Sequence, residues 1–256
     1  MGSETSNSRA KWLQGPAAEC PPLGEPPAHP WRLILLGAPG VGKGTQADLL
    51  HQRLMACHLS TGDVFRAASR SACGQSPAMQ AAQDFMRRGE LVPDATVWQI
   101  VRERVDCLQC RGGFILDGFP RTLAQAEALG ELFEAEKISL SAVVNYELPL
   151  VEIVARLSGR RTCPSCKGVF HVMHQPSKAE GICDHCGSRL QQREDDRPEA
   201  IAIRMEAYQR LTTPLVEFYS RLGLLVPVAA SGSPQEICAR TLSAFDARMA
   251  EPATAR

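Results

Sequence analysis

The chain has 256 residues, and its 28 Lys and Arg are matched by 28 Asp and Glu. That length permits one sizeable core plus a small inserted module, while the zero net charge gives no reason to expect bulk attraction to nucleic acid or to a membrane. The longest apolar runs are about five to seven residues, far below the roughly 20 that span a bilayer.

Residues 1–30 are rich in Pro, Ser and Gly and carry Glu4, Glu19 and Glu25 among few basic residues. They contain no secretory apolar stretch, and the acidic residues argue against a transit peptide, so a disordered tail is expected there. Residues 251–256 read as a second flexible end. Ten cysteines in a long chain of this kind are read as metal ligands or core residues in a reducing compartment, with the cytoplasm as the expected location.

From there strand-like runs alternate with helical patterns. Residues 32–36 read as a short buried strand, and residues 37–45, Gly-Ala-Pro-Gly-Val-Gly-Lys-Gly-Thr, as a glycine-rich turn opening a helix to about residue 54. Such a turn aims successive backbone N–H groups and the positive end of the helix dipole into one concavity. Gly37, Gly40 and Gly42 lack the Cβ that would hold the backbone away from phosphate oxygens. Lys43 adds a full positive charge beside the β- and γ-phosphates, so a nucleoside triphosphate is the expected ligand. The general pattern places Ser or Thr directly after the lysine, but here Gly44 intervenes and the hydroxyl falls on Thr45.

A short strand at 57–59 leads into Ser60-Thr61-Gly62-Asp63 and a helix to about residue 70. By itself this stretch reads equally as a good helix N-cap, or as Thr61 on a base edge with Arg66, a turn later, reaching a phosphate. Helices at 77–88 and 93–106 precede a strand at 113–117. Asp117-Gly118-Phe119-Pro120-Arg121 follows: a carboxylate at a strand end beside a phosphate loop is placed to hold Mg²⁺. Gly118 and Pro120 turn the chain so that Arg121 points across the cleft. Then come a helix at 122–135, a strand at 142–147, a helix at 149–157, one long helix at 198–222, a strand at 224–228 and a last helix at 234–249. Five strands separated by helices predict a parallel sheet covered on both faces. The motifs at Gly37, Thr61 and Asp117 fall at carboxyl ends of strands, where such sheets bind ligands.

Cys163-Pro-Ser-Cys166 and Cys183-Asp-His-Cys186 are two CxxC knuckles with 16 residues between them, a spacing that signals a tetrahedral Zn²⁺ site of four thiolates. Four protein ligands leave no open position, so the expected role is structural. His185 sits between two ligands and is read, like His171 and His174, as a bystander. A redox dithiol pair is the rival reading of the cysteines. Arg156, Arg160 and Arg161 precede the knuckles, while Arg193 and Arg204 follow. A surface charge run explains any one of these arginines. Five beside a phosphate loop suit phosphoryl transfer between two nucleotides, where the protein's work is positioning and neutralisation.

Taken together the chain resembles an adenylate kinase of the long form with a zinc-containing lid, over residues 32–245. The resemblance is carried by residues 37–45, 60–66, Gly89-Glu-Leu-Val92, Asp117 to Arg121 with Gln125, Gly159-Arg-Arg161, and Arg193-Glu-Asp-Asp196 with Arg204. It implies a P-loop nucleoside monophosphate kinase fold: a parallel five-stranded sheet flanked by helices, with a core at 31–250, an AMP-binding segment at 60–92 and a zinc-stapled lid at 159–196. The implied reaction is ATP + AMP ⇌ 2 ADP, with Mg²⁺ on the ATP. By matched position, Gly40, Val41, Gly42, Lys43, Gly44 and Thr45 would cradle ATP, with Arg156 and Arg160 approaching it, Val169 and Phe170 beside its base or ribose, and Gly232 and Ser233 at its adenine. Thr61, Arg66, Glu90, Leu91, Val92, Gly118, Phe119, Pro120, Arg121 and Gln125 would hold AMP, while Arg193 and Arg204 clamp the phosphates. Lys43, Asp117, Arg121, Arg156, Arg160, Arg193 and Arg204 form the implied catalytic set, and Cys163, Cys166, Cys183 and Cys186 the metal site.

Two departures from that pattern stand out. Ser231-Gly232 replaces the usual Asp-Gly after the last strand, and Phe65 replaces an aliphatic residue. The nearest rival is a UMP/CMP kinase, in which Ala tends to stand where this chain has Thr61. A zinc-ribbon nucleic-acid binder is disfavoured by balanced charge and by only three Tyr and three Trp. An inactive nucleotide-binding relative is disfavoured by the presence of every expected arginine. A monomer is expected, with no nucleic-acid or membrane partner.

Overall fold

The computed structural model describes Trp12 and residues 27–68, 77–166 and 168–250; the side chains of residues 66–68, 77–81 and 83 lie outside that description. The expected tails fall almost wholly outside the described residues. Trp12, inside the first of them, is fully buried.

Strand β1 (Trp31–Gly37) explains why residues 33–36 are continuously apolar. Ile34 and Leu36 belong to one buried cluster, and Leu33 and Leu35 to the other, so both faces of the strand are covered. It pairs in parallel with β3 (Gly113–Asp117) on one side and β4 (Ala142–Glu147) on the other. Beyond these lie β2 (Cys57–Ser60) and β7 (Leu225–Ala229), also parallel, giving the order β2-β3-β1-β4-β7. The predicted five-stranded parallel sheet is therefore present. From β1 the chain runs to one side for β2 and β3, then to the other for β4 and β7, so the carboxyl end of β1 lies at the topological switch point.

Helices α1 (Lys43–Leu54) and α9 (Pro234–Ala250) contribute to the cluster on one face. The other face is covered by α2 (Thr61–Ala68), α3 (Pro77–Arg88), α4 (Asp94–Glu103), α5 (Leu123–Ala135) and α8 (Pro214–Arg221). Helix α6 (Leu150–Gly159) and α7 (Pro198–Ala207) pack together over the phosphate loop through Ile153, Leu157, Ile201 and Ala38.

Three elements differ from their sequence reading. The helix expected at 93–106 stops at Glu103 and continues as a 3₁₀ segment, Val105–Gln109. The single long helix expected at 198–222 is two helices joined by a π-turn at Tyr208–Thr212. Pro214 accounts for this: it lacks an N–H and its ring crowds the preceding turn, and the ladder widens so that Thr213 N–H donates to Tyr208 O at 2.9 Å. The cysteine-rich insert also carries a small antiparallel pair, β5 (Arg160–Thr162) and β6 (Val169–His171), too short to announce itself by alternation.

Candidate active site

Strand β1 delivers its chain into residues 38–42, and α1 begins at Lys43 with no side chain capping its first turn. Those N-terminal N–H groups are the kind that anions satisfy. Gly40 and Gly42 have φ of 82° and 108°, which disfavour other residues. A Cβ on Gly40 would also lie 2.5 Å from Leu157 Cγ, so α6 can seat on the loop only because that position is glycine. Lys43 Nζ folds back to donate to Gly37 O at 2.7 Å and Ala38 O at 3.1 Å. Burial lowers its pKa to about 8, against the opposing charge of Asp117.

Asp117 ends β3 beside this loop; a Cβ on Gly44 would sit 3.6 Å from its Oδ2. His58 on β2 links two carboxylates, with Nδ1 2.8 Å from Asp48 Oδ1 and Nε2 3.4 Å from Asp117 Oδ2. Desolvation raises the Asp117 pKa, but the His58 hydrogen bond and the charges of His58 and Lys43 outweigh it and leave the carboxyl below its ordinary value. Thr61 Oγ1 donates to Gly118 O at 3.0 Å, tying the start of α2 to the Asp117 turn. Arg121 Nε donates to the same carbonyl at 2.8 Å, and its backbone N–H donates to Gln125 Oε1 at 2.7 Å. The buried Gln125 in turn donates from Nε2 to Asp94 Oδ1 at 2.6 Å.

The arginines converge. A cavity of about 1150 Å³ is lined by residues 40–45, Asp117, Arg121, Arg156, Arg160, Arg193, Arg204, Val169, Phe170, Gly232 and Ser233. A second, of about 70 Å³, is lined by Thr61, Glu90, Leu91, Val92, Gly118, Arg121, Gln125 and Arg204, among others. Arg121 and Arg204 line both. Phe119 and Pro120 line neither; Phe119 is buried edge-on against Trp98, centroids 5.3 Å apart. The Arg66 side chain lies outside the described residues.

Fixed partners aim several guanidinium groups. Asp196 is fully buried and accepts from Arg160, Nε to Oδ2 at 2.7 Å, and from Arg204, Nη1 to Oδ1 at 3.3 Å. A buried carboxylate needs such charge-assisted partners, and here it holds two cations side by side. Arg156 donates to Val41 O at 3.2 Å and Ala230 O at 2.9 Å. Arg193 Nε donates to Thr162 Oγ1 at 3.0 Å.

In the insert, the four sulfurs of Cys163, Cys166, Cys183 and Cys186 all lie within 4.8 Å of one another. Roughly 2.3 Å metal–sulfur bonds in a tetrahedron put sulfurs about 3.8 Å apart, so the donor set fits a closed zinc centre. His185 is outside this set and packs its ring 5.6 Å from that of Phe170. At the loop after β7, Ser233 and Glu236 form a reciprocal cap on α9: Ser233 N–H donates to Glu236 Oε2 at 2.7 Å and Glu236 N–H to Ser233 Oγ at 3.3 Å.

The adenylate kinase family model matches residues 35–224. An adenylate kinase from Thermodesulfovibrio yellowstonii is 46% identical over 206 residues, 80% of this chain and 94% of the relative. Those of Carboxydothermus hydrogenoformans and Streptomyces coelicolor are 43% and 44% identical, over 84% of this chain and 99% and 98% of their own lengths. The chain belongs to the adenylate kinase family. Adenylate kinases act on Mg-ATP, and the convergent lysine and arginines are the chemistry that substrate needs.

Sequence reading missed the residues that hold this adenylate kinase site from behind. Asp94 orients Gln125, His58 bridges Asp48 and Asp117, and Asp195 and Asp196 hold Arg204. Asp195 and Asp196 lie within the motif Arg193-Glu-Asp-Asp196, which by itself assigns them no role, whereas nothing local marks Asp94 or His58. A pH effect follows from the buried ammonium. The kcat/KM for ATP is expected to fall as pH rises through about 8, where free enzyme loses the Lys43 proton. ATP phosphates placed beside Lys43 would hold that proton, so kcat should decline only at higher pH. Paired profiles check this, and a kcat/KM flat to about pH 10 would contradict it.

Proposed function

We propose that this chain catalyses ATP + AMP ⇌ 2 ADP. The observation carrying the reading is the pair of cavities sharing Arg121 and Arg204: one is built around the phosphate loop and the other around Thr61, Gln125 and residues 90–92. Two anionic ends meet only at that junction. In this reading ATP lies in the larger cavity, with its phosphates on residues 40–45 and Lys43 beside the transferring group. Arg156 and Arg160 approach it from the lid side, Val169 and Phe170 flank its base or ribose, and Gly232 and Ser233 lie near the adenine. Asp117 is the carboxylate placed to hold Mg²⁺ or its waters. AMP enters at the smaller cavity, which at about 70 Å³ must widen to admit it, with its phosphate toward Arg121 and Arg204, and Arg66 and Arg193 complete the cationic ring.

No side chain need become covalently attached. In-line transfer asks for alignment and for charge placed where the equatorial oxygens develop it. Closure of the insert over the cleft would exclude water and suppress hydrolysis. Zinc is the metal we assign to the four thiolates, as a staple for an insert whose own buried apolar cluster, among the described residues, is Cys163, Phe170 and Cys183, with Leu190 packed against it. Among the described residues no two cysteines form a disulfide, which fits a reducing compartment and on which we place the protein in the cytoplasm.

The test is ADP formation from ATP with AMP, GMP, CMP or UMP as acceptor. AMP is expected to exceed the others by at least about tenfold in kcat/KM, the discrimination one or two base-edge hydrogen bonds supply. Faster turnover with UMP or CMP would move the chain to the pyrimidine branch, and phosphate release without an acceptor would make it an ATPase.

A further inference from the structure

Trp12 precedes residue 35, where the match to the family begins, and the reading above gives it no part. It is nevertheless fully buried in the cluster that contains Val64 and Phe65 of α2 and Ile100 and Val101 of α4. Two hydrogen bonds fix it. Its indole N–H donates to Ser60 O at 3.0 Å, and its own carbonyl accepts from Arg104 Nε at 2.7 Å. Arg104 is only 7% exposed; its Nη1 donates to Ile100 O at 3.3 Å and Glu103 Oε2 at 3.0 Å, so a buried cation at the end of α4 joins the Trp12 carbonyl to that helix.

Ser60 is the last residue of β2, the outermost strand of the sheet on that side. The next residue, Thr61, lines the smaller cavity and bonds the Asp117 turn through Gly118. The Trp12 indole therefore grips the backbone one peptide before the acceptor pocket, while Arg104 ties Trp12 to α4, whose Val97 lines that same pocket. Neither cavity is lined by Trp12 or Arg104 themselves; Ser60 borders the larger cavity, while Thr61 and Val97 border the smaller.

We propose that Trp12 is a positioning residue for the acceptor nucleotide: by holding Ser60 O against α4, it sets where Thr61 and the start of α2 stand in the smaller cavity. This rests on the reading of that cavity as the AMP site. The Trp12–Ser60 bond orders the segment in advance, and because α2 and Thr61 lead from Ser60 into the smaller cavity its loss weakens acceptor binding more than ATP binding.

The test uses the full chain with Trp12→Phe, which keeps most of the apolar volume but has no N–H, and Trp12→Ala, with Gln125→Ala as a control inside the pocket. Trp12→Phe should raise KM for AMP about three- to tenfold, the worth of one hydrogen bond, with KM for ATP changed by less than about twofold. Trp12→Ala should raise KM for AMP further. Arg104→Lys should act in the same direction and combine with Trp12→Phe by less than the product of the two single effects, since both act through one element. A purely structural role would lower the melting temperature and kcat while shifting both KM values equally; that pattern, or unchanged KM values in the Phe variant, overturns the proposal. If Gln125→Ala raises KM for AMP and the Trp12 variants do not, the acceptor site stands and the Trp12 role falls. If Gln125→Ala leaves KM for AMP unmoved, the acceptor-site reading fails and the Trp12 role goes with it.

Discussion

Lys43→Met is expected to leave the fold intact and to lower kcat by about three orders of magnitude, toward the upper end of what single preorganised charge stabilisers supply. Methionine matches lysine in length and in helix propensity, and position 43 is the first residue of α1, so the helix loses little. The hydrogen bonds forfeited run to Gly37 O and Ala38 O at the partly buried loop, each worth about 1 kcal/mol. What disappears is a cation set in a desolvated position beside Asp117 and within the field of Arg121, Arg160 and Arg204. Charge in such a place acts on the transferring phosphoryl group far more strongly than it would in water. Stopped-time ADP assays with circular dichroism on the same preparation check both halves. Turnover within about tenfold of the parent would remove Lys43 from the mechanism.

Cys166→Ser is expected to cost stability before it costs chemistry. The insert buries little apolar surface beyond Cys163, Phe170, Cys183 and the flanking Leu190, too little for about 35 residues to stay folded unaided. Four thiolates on zinc would contribute roughly 10–16 kcal/mol of apparent free energy, so losing one ligand should release most of the insert's order. The melting temperature of the lid transition should fall by about 10 °C or more, while turnover at low temperature declines only several-fold. The reason for the split is geometric. Arg160 remains bonded to Asp196 at the root of the insert, whereas Val169 and Phe170 lie between the two knuckles. Metal analysis of fresh protein should find one zinc per parent chain and much less in the variant. Parent protein with well under one zinc would refute the assignment.

The parts of the site readable in advance are those written contiguously. A buried strand, a glycine turn and a helix start occupy residues 31–54 without interruption, and their dihedral demands are local, so Gly40, Gly42 and Lys43 stood where expected. Two CxxC knuckles are likewise local hairpins whose chemistry is carried by spacing. The order of strands and helices followed from alternating periods, and a parallel arrangement from the helical crossovers between them. The π-turn at Tyr208–Thr212 was hidden because helical periodicity continues through Pro214, and only the steric account of that ring shows where the ladder must open.

Chain order and residue type thus sufficed for the sheet, the phosphate loop, the thiolate set and the family, because each is written in local runs and motifs even where, as for the sheet, those runs are spread from Trp31 to Ala229. Folding in three dimensions alone made Asp94 the partner of Gln125, Asp196 the shared anchor of Arg160 and Arg204, His58 the bridge to Asp117, and Trp12 a buried brace beneath Ser60. Each of these pairs charge or hydrogen-bonding capacity that water would otherwise satisfy. The need for a partner arises only once packing removes the water, and which partner answers depends on elements that have no fixed separation along the chain.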